Sequence, residues 1–267
     1  TFMIGFSTSP DNQSNYSTSY LSNLSGLDAL THAGAIHIDA NPQLVSLQGL
    51  NQLTTVTNYI HLADNPRLEN LQALENLTTV STFSLQGNTR LRNLQGLEQV
   101  RNLDYLTIKG RVSTNPETPA AEGLTSLTGI ESVGSIKHLN LTGNPLQDLS
   151  ALNNVSITES LSLNYNLITA LPAIQVSELN GLEIFGERIS SLEGLNNITR
   201  LGYLALYGNN QLTDLSALDA LTRVDGGFAI ANNENLCQSA ADALLAQVQN
   251  AGGVGATVNM YNNNGCN

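Results

Sequence analysis

The sequence contains few charged residues, and most of them are acidic. Charged side chains make up 12% of the 267 residues, against about 25% in typical soluble domains, and the net charge is -12. The ten basic residues include only two lysines, Lys109 and Lys137. Because no cluster of cations is available to neutralise phosphates, we expect binding neither to nucleic acid nor to an anionic membrane surface.

Long apolar runs are also missing. No stretch approaches the roughly 18 consecutive apolar residues of a membrane-spanning helix, so we expect no direct membrane insertion. The first residues, TFMIGFSTSP, lack the charged and then apolar pattern of a secretory signal. We therefore expect any signal or anchor to lie outside this segment.

Cysteine is scarce, since Cys237 and Cys266 are the only two in the sequence. They bracket one terminal unit, which favours a disulfide between them. In the loop-entropy model, a bridge that closes about 30 residues stabilises a protein by roughly 3 to 4 kcal/mol. Such bonds persist in oxidising compartments, so the pair favours an extracellular, cell-surface or periplasmic location.

A repeat, in contrast, runs through most of the sequence. In its second copy, leucines and a valine recur every third residue over 44–56, Ile60 and Leu62 stand two apart, and Asn65 follows. Period three suits turns and short helical arcs against a core, whereas period two indicates a strand with one buried face. Successive copies begin 21 to 24 residues apart, with one step of 33, at Leu21, Leu44, Leu68, Leu91, Leu124, Leu146, Ile168, Ile189, Leu212 and Leu236. A period of this length predicts a solenoid.

An asparagine follows most of the predicted strands by three residues. An inward amide can both donate and accept hydrogen bonds, so these residues are expected to bracket neighbouring coils in a ladder. The ladder residues are Asn41, Asn65, Asn88, Asn144, Asn166, Asn209, Asn233 and Asn263. Arg111 and Glu187 occupy this position in two copies, where we expect interruptions. The apolar pair Ile4/Phe6 is expected to add a strand at the N-terminal edge.

The pattern LxxLxxLxxLxxV followed by hLxLxxN resembles a leucine-rich repeat. The NPxL that follows the asparagine and the LxxLTxV that precedes the strand resemble the receptor L-domain type of bacterial-type surface or secreted proteins. The resemblance covers residues 21–263. It implies an α/β solenoid, a right-handed superhelix with one long parallel sheet and short turns or 3-10 arcs on the other side. A parallel β-helix of the polysaccharide-lyase kind is the alternative, although no aligned cluster of acidic metal ligands with a basic catalytic residue is evident.

One domain is expected over 1–267. It comprises an N-terminal edge strand and loop (1–20), repeats (21–235) and a C-terminal cap (236–267). An insertion at 109–123 contains two prolines and is expected to protrude as a loop. In the cap, Ser239 and Asp242 resemble a capping box, Gly252 can end the helix, and a last strand is expected at 257–261, with the disulfide closing the unit.

The outward residues of the strands form the candidate ligand-binding face. Aromatic residues are only 5% of the chain, yet most of the tyrosines fall at outward positions, where they suit contacts with proteins or sugars. The candidate binding residues are Tyr59, His61, Tyr105, Lys109, His138, Glu183, Phe185, Tyr203, Tyr207 and Tyr261.

The sequence offers little catalytic or metal-binding chemistry. His37 and His61 are expected side by side on adjacent strands, with Asp39 and Asp64 near them. Because zinc needs three or four converging ligands and only two are evident, we expect solvated histidines and no metal or other cofactor. No nucleophile with a partnered base, phosphate loop or spaced carboxylate pair is evident, so no catalytic residues are expected.

These observations favour a non-enzymatic, monomeric binding module outside the cytoplasm. It would recognise a protein partner through the exposed sheet face and the 109–123 loop. A carbohydrate-binding or adhesion module is the alternative that uses the same tyrosines. A polysaccharide-degrading enzyme built on a β-helix is a third interpretation.

Overall fold

A computed structural model describes residues 2–5, 21–110 and 122–266 of the chain. The expected loop at 10–20, the ladder position Arg111 and most of the 109–123 insertion lie outside the described residues. Among the helices of the described ranges, none is long and apolar enough to cross a membrane.

The chain forms a parallel β-sheet solenoid. Within the described ranges, eleven strands pair in parallel into one sheet, and their order across the sheet is their order along the chain. The strands are β1 (Phe2–Gly5), β2 (His32–Asp39), β3 (Thr55–Ala63), β4 (Thr79–Gln86), β5 (Asn102–Lys109), β6 (Ser135–Thr142), β7 (Ser156–Asn164), β9 (Gly181–Phe185), β11 (Leu204–Tyr207), β13 (Phe228–Ala231) and β14 (Val258–Tyr261). A second sheet has three two-residue strands, β8 (Glu178–Leu179), β10 (Arg200–Leu201) and β12 (Arg223–Val224).

The core lies between the long sheet and the return segments of the coils. Inward strand residues and the residues at period three are almost fully buried, as Leu62, Leu74 and Phe83 illustrate with 0% exposure. The apolar pattern therefore specifies both walls of each coil, because every coil buries its apolar residues against those of its neighbours. Leu21 is an exception: it is 37% exposed, and Leu24 is the first buried leucine of its unit.

Most of the return segments take one of two local forms, and the segment at 171–174 takes neither. Three of them contain a 3-10 helix, at Gln72–Leu74, Ser150–Leu152 and Ser216–Leu218. In several others a glycine with φ between +104° and +114° stands at the equivalent position. The expected turns and 3-10 arcs are thus both present.

The asparagines form a ladder along the end of the sheet. All eight are buried, and a typical member, Asn65, donates from Nδ2 to the carbonyls of Ile38 and Ala63, both at 2.9 Å. Its Oδ1 accepts the backbone N–H of Asn41 at 3.1 Å. Apart from Asn41, whose preceding coil lies mostly outside the described residues, each side chain therefore joins its own coil to the preceding one, which satisfies backbone groups that the bend would otherwise leave unpaired.

The expected interruption at Glu187 is wrong. Glu187 is 2% exposed, and its Oε1 accepts the backbone N–H and the Nδ2 of Asn166, at 2.9 and 2.8 Å. Its Oε2 accepts the N–H of Ile168 at 3.0 Å, and its own N–H donates to Oδ1 of Asn209. A carboxylate continues the ladder here because it supplies the acceptors that an amide supplies elsewhere. Burial raises the pKa of Glu187, against the lowering effect of these hydrogen bonds.

The C-terminal cap consists of helix α1 (Gln238–Ala251) and strand β14, joined by the Cys237–Cys266 disulfide. The helix packs Ala241, Leu244 and Val248 against the last coils and ends at Gly252, as expected. The proposed Ser239 capping box is wrong, because the N-cap residue is Cys237, without a side-chain cap. Asp242 instead accepts from Nε2 of Gln238 at 2.9 Å.

Both edge strands differ from the expected pattern. At the N-terminal edge, β1 pairs Phe2 with Ile36 and Ile4 with Ile38, so the expected pair Ile4/Phe6 is wrong by two residues. At the other edge, Val258 in β14 has the register expected of a core residue but is 38% exposed. No further coil covers this strand among the described residues, which explains its exposure.

Candidate binding face

Parallel pairing aligns the outward residues of successive strands in rows. Register pairs such as His37 with His61 and Ala205 with Ala229 place equivalent residues side by side across the sheet. Neighbouring strands lie about 4.8 Å apart, so each row presents one side chain at about that interval. The outward residues of the long sheet from β2 to β14, together with Tyr203 directly before β11, are called the sheet face below.

The ten predicted binding residues do not form one compact patch. They lie in three groups: Tyr59 and His61 on β3, Tyr105, Lys109 and His138 on β5 and β6, and the remaining five on β9, β11 and β14, with Tyr203 directly before β11. β3 and β11 are six strand steps apart in the sheet, which corresponds to roughly 29 Å at about 4.8 Å per step. A single small ligand cannot contact the first and last groups together.

The third group contains most of the exposed aromatic surface. Tyr203 and Tyr261 are 36% and 47% exposed, and the ring of Phe185 meets that of Tyr207 edge to face with centroids 5.2 Å apart. Burial, followed by the nearby Glu183 carboxylate, raises the pKa of Tyr203. Burial and the neighbouring Tyr261 raise the pKa of Tyr207. Both phenols therefore stay protonated at neutral pH and present hydrogen-bonding hydroxyls beside apolar rings.

The ring of Tyr203 depends on a glycine beneath it. Gly181 precedes Leu182 at the start of β9, and a Cβ at this position would overlap the Tyr203 ring. The absence of a side chain lets the aromatic ring lie flat over the neighbouring strand. The sequence contains this signal, a glycine at an outward strand position beside a tyrosine, but only the register connects the two residues.

The second group is organised around a stacked pair. The rings of Tyr105 and His138 are 4.4 Å apart at their centroids and 14° from parallel. Nδ1 of His138 pairs with the Ser160 hydroxyl at 2.8 Å, and its Nε2 lies 3.2 Å from Oε2 of Glu159. These contacts hold the imidazole in place, while Tyr105 remains 47% exposed and open to a partner.

In the first group, His61 converges with His37 and Asp39, which the sequence placed near one another without counting Asp39 as a third ligand. Asp39 lies beside both histidines: it is hydrogen bonded to Nε2 of His37, and its Oδ1 is 3.6 Å from Nε2 of His61. The ring of Tyr59 contacts that of His37 edge on, with centroids 6.4 Å apart. Burial lowers the pKa of His61, and the Asp39 carboxylate opposes that effect. The signal was present, because alternation places His37 and Asp39 on the same side of β2.

A groove beside the sheet face was also missed. It follows the bends after β7 to β14, has a volume of about 660 Å³ and is called the rim groove. Its lining residues are Tyr165, Gly186, Glu187, Arg188, Tyr207, Gly208, Asn210, Gln211, Asn232, Glu234, Asn262 and Asn264. The lining combines aromatic rings, amides and charges of both signs.

Tyr165 has an unusual backbone conformation at one end of the rim groove. Its φ is +57°, at a position where the adjacent coils have Gly143 and Gly186. Left-handed φ values are uncommon for aromatic residues, which lack the local hydrogen bonds that favour asparagine there. Tyr165 is 36% exposed and its ring lies over Gly186. A tyrosine at a position where both neighbouring coils have glycine is the sequence signal for this groove.

Comparison with known proteins does not assign the chain. No protein-family model matches it, and a search of curated proteins finds no significant match. The geometry of the sheet face and the rim groove therefore carries the functional inference.

Proposed function

We propose that this chain is a non-enzymatic binding module of the leucine-rich-repeat type, similar to receptor L-domains, that recognises a protein partner. The partner would lie along the sheet face, with the 109–123 loop contributing at the edge where Lys109 is exposed. The module would act outside the cytoplasm or at a cell surface. The Cys237–Cys266 disulfide supports that location, because such bonds persist in oxidising compartments.

The repeat pattern supports the leucine-rich-repeat assignment. In the described part of the chain, most coils have one parallel strand, a return segment with turns or a 3-10 helix, and a buried ladder residue at the strand's end. This arrangement matches what the sequence motif implies for that family. Fold alone does not determine function, so the proposal of protein binding depends on the side chains of the sheet face.

The exposed aromatic residues on the sheet face carry the proposal. Tyr105, Tyr203 and Tyr261 keep a third to a half of their surface exposed on a sheet whose inward positions from β2 to β13 are almost completely buried. Tyrosine is enriched at the energetic centres of protein interfaces, because it offers a large contact area and a hydroxyl. Their distribution along the sheet suits an extended protein surface better than a small molecule.

The rim groove favours carbohydrate binding as a second candidate function. Tyr165 and Tyr207 flank amides, Arg188 and Glu234 along its wall. Aromatic rings can pack on the apolar faces of sugars, while amides and charged groups hydrogen bond to the hydroxyls. The volume of about 660 Å³ is within the range of small-ligand sites.

The proposals are tested by screening the purified chain against arrays of extracellular proteins and of glycans. For protein binding, Tyr203→Ala combined with Tyr207→Ala is expected to weaken the signal at least about tenfold, as removal of interface hot spots does. A matched double variant on the return side, Glu75→Ala with Gln95→Ala, should bind as wild type, because these exposed side chains lie away from the sheet face.

Other outcomes decide between the candidates. Glycan binding that Tyr165→Ala abolishes would replace the first proposal by the second. Protein binding that survives the double tyrosine change would contradict the role of the sheet face. Turnover of a polysaccharide by the purified chain would contradict both proposals.

A further inference from the structure

Two strands of the sheet bring three metal-ligating side chains to one point. His37 and Asp39 are two residues apart on β2 and so lie on the same side of the sheet. His61 is the register partner of His37 on β3. The donor atoms of all three lie within 4.8 Å of one another.

The geometry is close to that of a bound transition-metal ion. Bonds of about 2.0 to 2.1 Å in a tetrahedral site separate neighbouring ligand atoms by about 3.4 Å. Nε2 of His61 and Oδ1 of Asp39 are already 3.6 Å apart. The hydrogen bond between His37 and Asp39 must open, since their atoms are closer than two ligands of one ion would be. Rotation of these side chains alone can bring the three donor atoms to such distances, because strand pairing already holds the backbones of β2 and β3 side by side.

An unsatisfied oxygen gives independent support for a cation here. Within the part of the chain that the structure describes, Oδ1 of Asp39 is buried and accepts no hydrogen bond. Buried polar atoms without a partner are rare, and leaving a carboxylate oxygen in this state is costly. A metal ion bound between this oxygen and the two imidazoles would supply the missing partner.

The surroundings of His61 suit coordination through Nε2. Its Nδ1 lies 3.1 Å from the Ser84 hydroxyl. If Nε2 holds a metal, Nδ1 carries the proton and donates it to Ser84, which fixes the tautomer and the orientation of the ring. The three ligating side chains remain 27% to 33% exposed, so solvent or a partner's side chain can reach the ion.

We propose that His37, Asp39 and His61 form a binding site for a divalent transition-metal ion, with zinc as the preferred ion. Two imidazoles and a carboxylate are ligands that zinc accepts, and copper and nickel should bind to the same set. Three protein ligands leave a fourth position open toward solvent. The site lies on the sheet face and includes His61, one of the candidate binding residues, but metal binding does not require the function proposed above.

The test is calorimetric titration of zinc into the metal-free chain without a histidine tag. Wild type is expected to bind one ion per chain with saturation. His61→Ala and Asp39→Asn should each weaken binding at least tenfold, and Ser84→Ala should weaken it less. His138→Ala is the matched control: His138 also pairs with a serine and a carboxylate but has no second histidine, so its loss should leave binding unchanged.

A spectroscopic measurement, together with the unfolding temperatures, distinguishes the loss of a metal ligand from the loss of the folded structure. Cobalt bound in place of zinc should give the intense visible absorption of a four-coordinate site in wild type and His138→Ala, but not in His61→Ala. All variants should unfold at the wild-type temperature without metal. The proposal would be overturned if wild type showed no saturable zinc binding. It would also be overturned if His61→Ala and Asp39→Asn bound zinc as tightly as wild type does.

Discussion

At the scale of single residues, alanine or glycine at one position distinguishes two forms of return segment, although the coil with Ala173 there has neither a 3-10 helix nor a glycine turn. The 3-10 helices have Ala73, Ala151 or Ala217 at their centre. The coils with glycine at the equivalent position have a large positive φ instead, at Gly26, Gly49, Gly96, Gly129 and Gly194. Such φ values are strained for residues with a Cβ, so the sequence LxGL or LxAL indicates the local form.

Replacing one of these glycines should show whether strain or crowding dominates. A Cβ at Gly96, with φ +113°, would overlap the carbonyl oxygen of Leu71, whereas a Cβ at Gly26, with φ +104°, has no atom of the described residues within 4 Å. Gly26→Ala should therefore cost only backbone strain, of order 1–3 kcal/mol. Gly96→Ala should add an overpacking penalty of about 1–3 kcal/mol. Urea unfolding of both variants measures this, and equal losses would show that the close approach is unimportant.

The buried Glu187 should make stability depend on pH. Because burial raises its pKa in the folded state, the protonated form is favoured there. Its contribution to stability is complete below the unfolded pKa of about 4.3 and is lost as the pH rises through the higher folded-state value.

This pH dependence can be isolated with a variant that does not titrate. The difference in unfolding free energy between wild type and Glu187→Gln should shift in favour of wild type as the pH falls from about 8 to about 4. Other titrating groups contribute equally to both proteins and cancel. A constant difference, or one that favours wild type at the higher pH, would contradict this assignment.

At the scale of elements, the C-terminal cap is held to the last coils in several ways. Besides the packed face of α1, Gln247 donates from Nε2 to the carbonyls of Leu218, Asp219 and Leu221, at 3.2, 3.1 and 2.9 Å. These carbonyls belong to the end of the preceding 3-10 helix and the turn after it. The cap thus satisfies backbone acceptors of the coil that it covers, as the end of a solenoid requires.

Loss of the disulfide should loosen this cap. Cys237 and Cys266 are 29 residues apart, and a loop of this length corresponds to about 3–4 kcal/mol in the entropic model. Cys237→Ser with Cys266→Ser should lower the unfolding temperature, and a reductant should do the same to wild type. The reductant should have no effect on the double variant. An unchanged melting temperature in both experiments would mean that the helix and Gln247 hold the cap without the bridge.

At the scale of the whole molecule, one continuous sheet spreads its outward side chains over a long surface. The three groups of candidate binding residues stand on different parts of it, and each has a different character. Aromatic rings dominate near β9 to β14, a stacked Tyr105–His138 pair lies in the middle, and the histidine and carboxylate cluster lies on β2 and β3. A long partner could contact all three, whereas a small ligand would use only one.

The repeat predicted much of the architecture, because apolar periodicity reflects which side chains face the core. Residues such as Ile60, Leu62 and Asn65 placed the strands, the parallel sheet and the ladder. The break in the repeat after Leu236 and the two cysteines placed the helical cap and its disulfide. The N-cap residue of α1 and the register of β1 could not be predicted from the sequence. These depend on local backbone geometry and strand pairing, for which several neighbouring residues were equally suitable.

The candidate sites were less predictable for a different reason. The sequence by itself determined which side chains point outward, since alternation along a strand requires no knowledge of the neighbouring coils. Tertiary structure alone decided that Asp39 meets His61, that Tyr203 covers Gly181, and that Glu187 replaces an asparagine in the ladder. These contacts join residues about 20 apart in the chain, and they depend on the register between coils and on side-chain rotamers that packing selects.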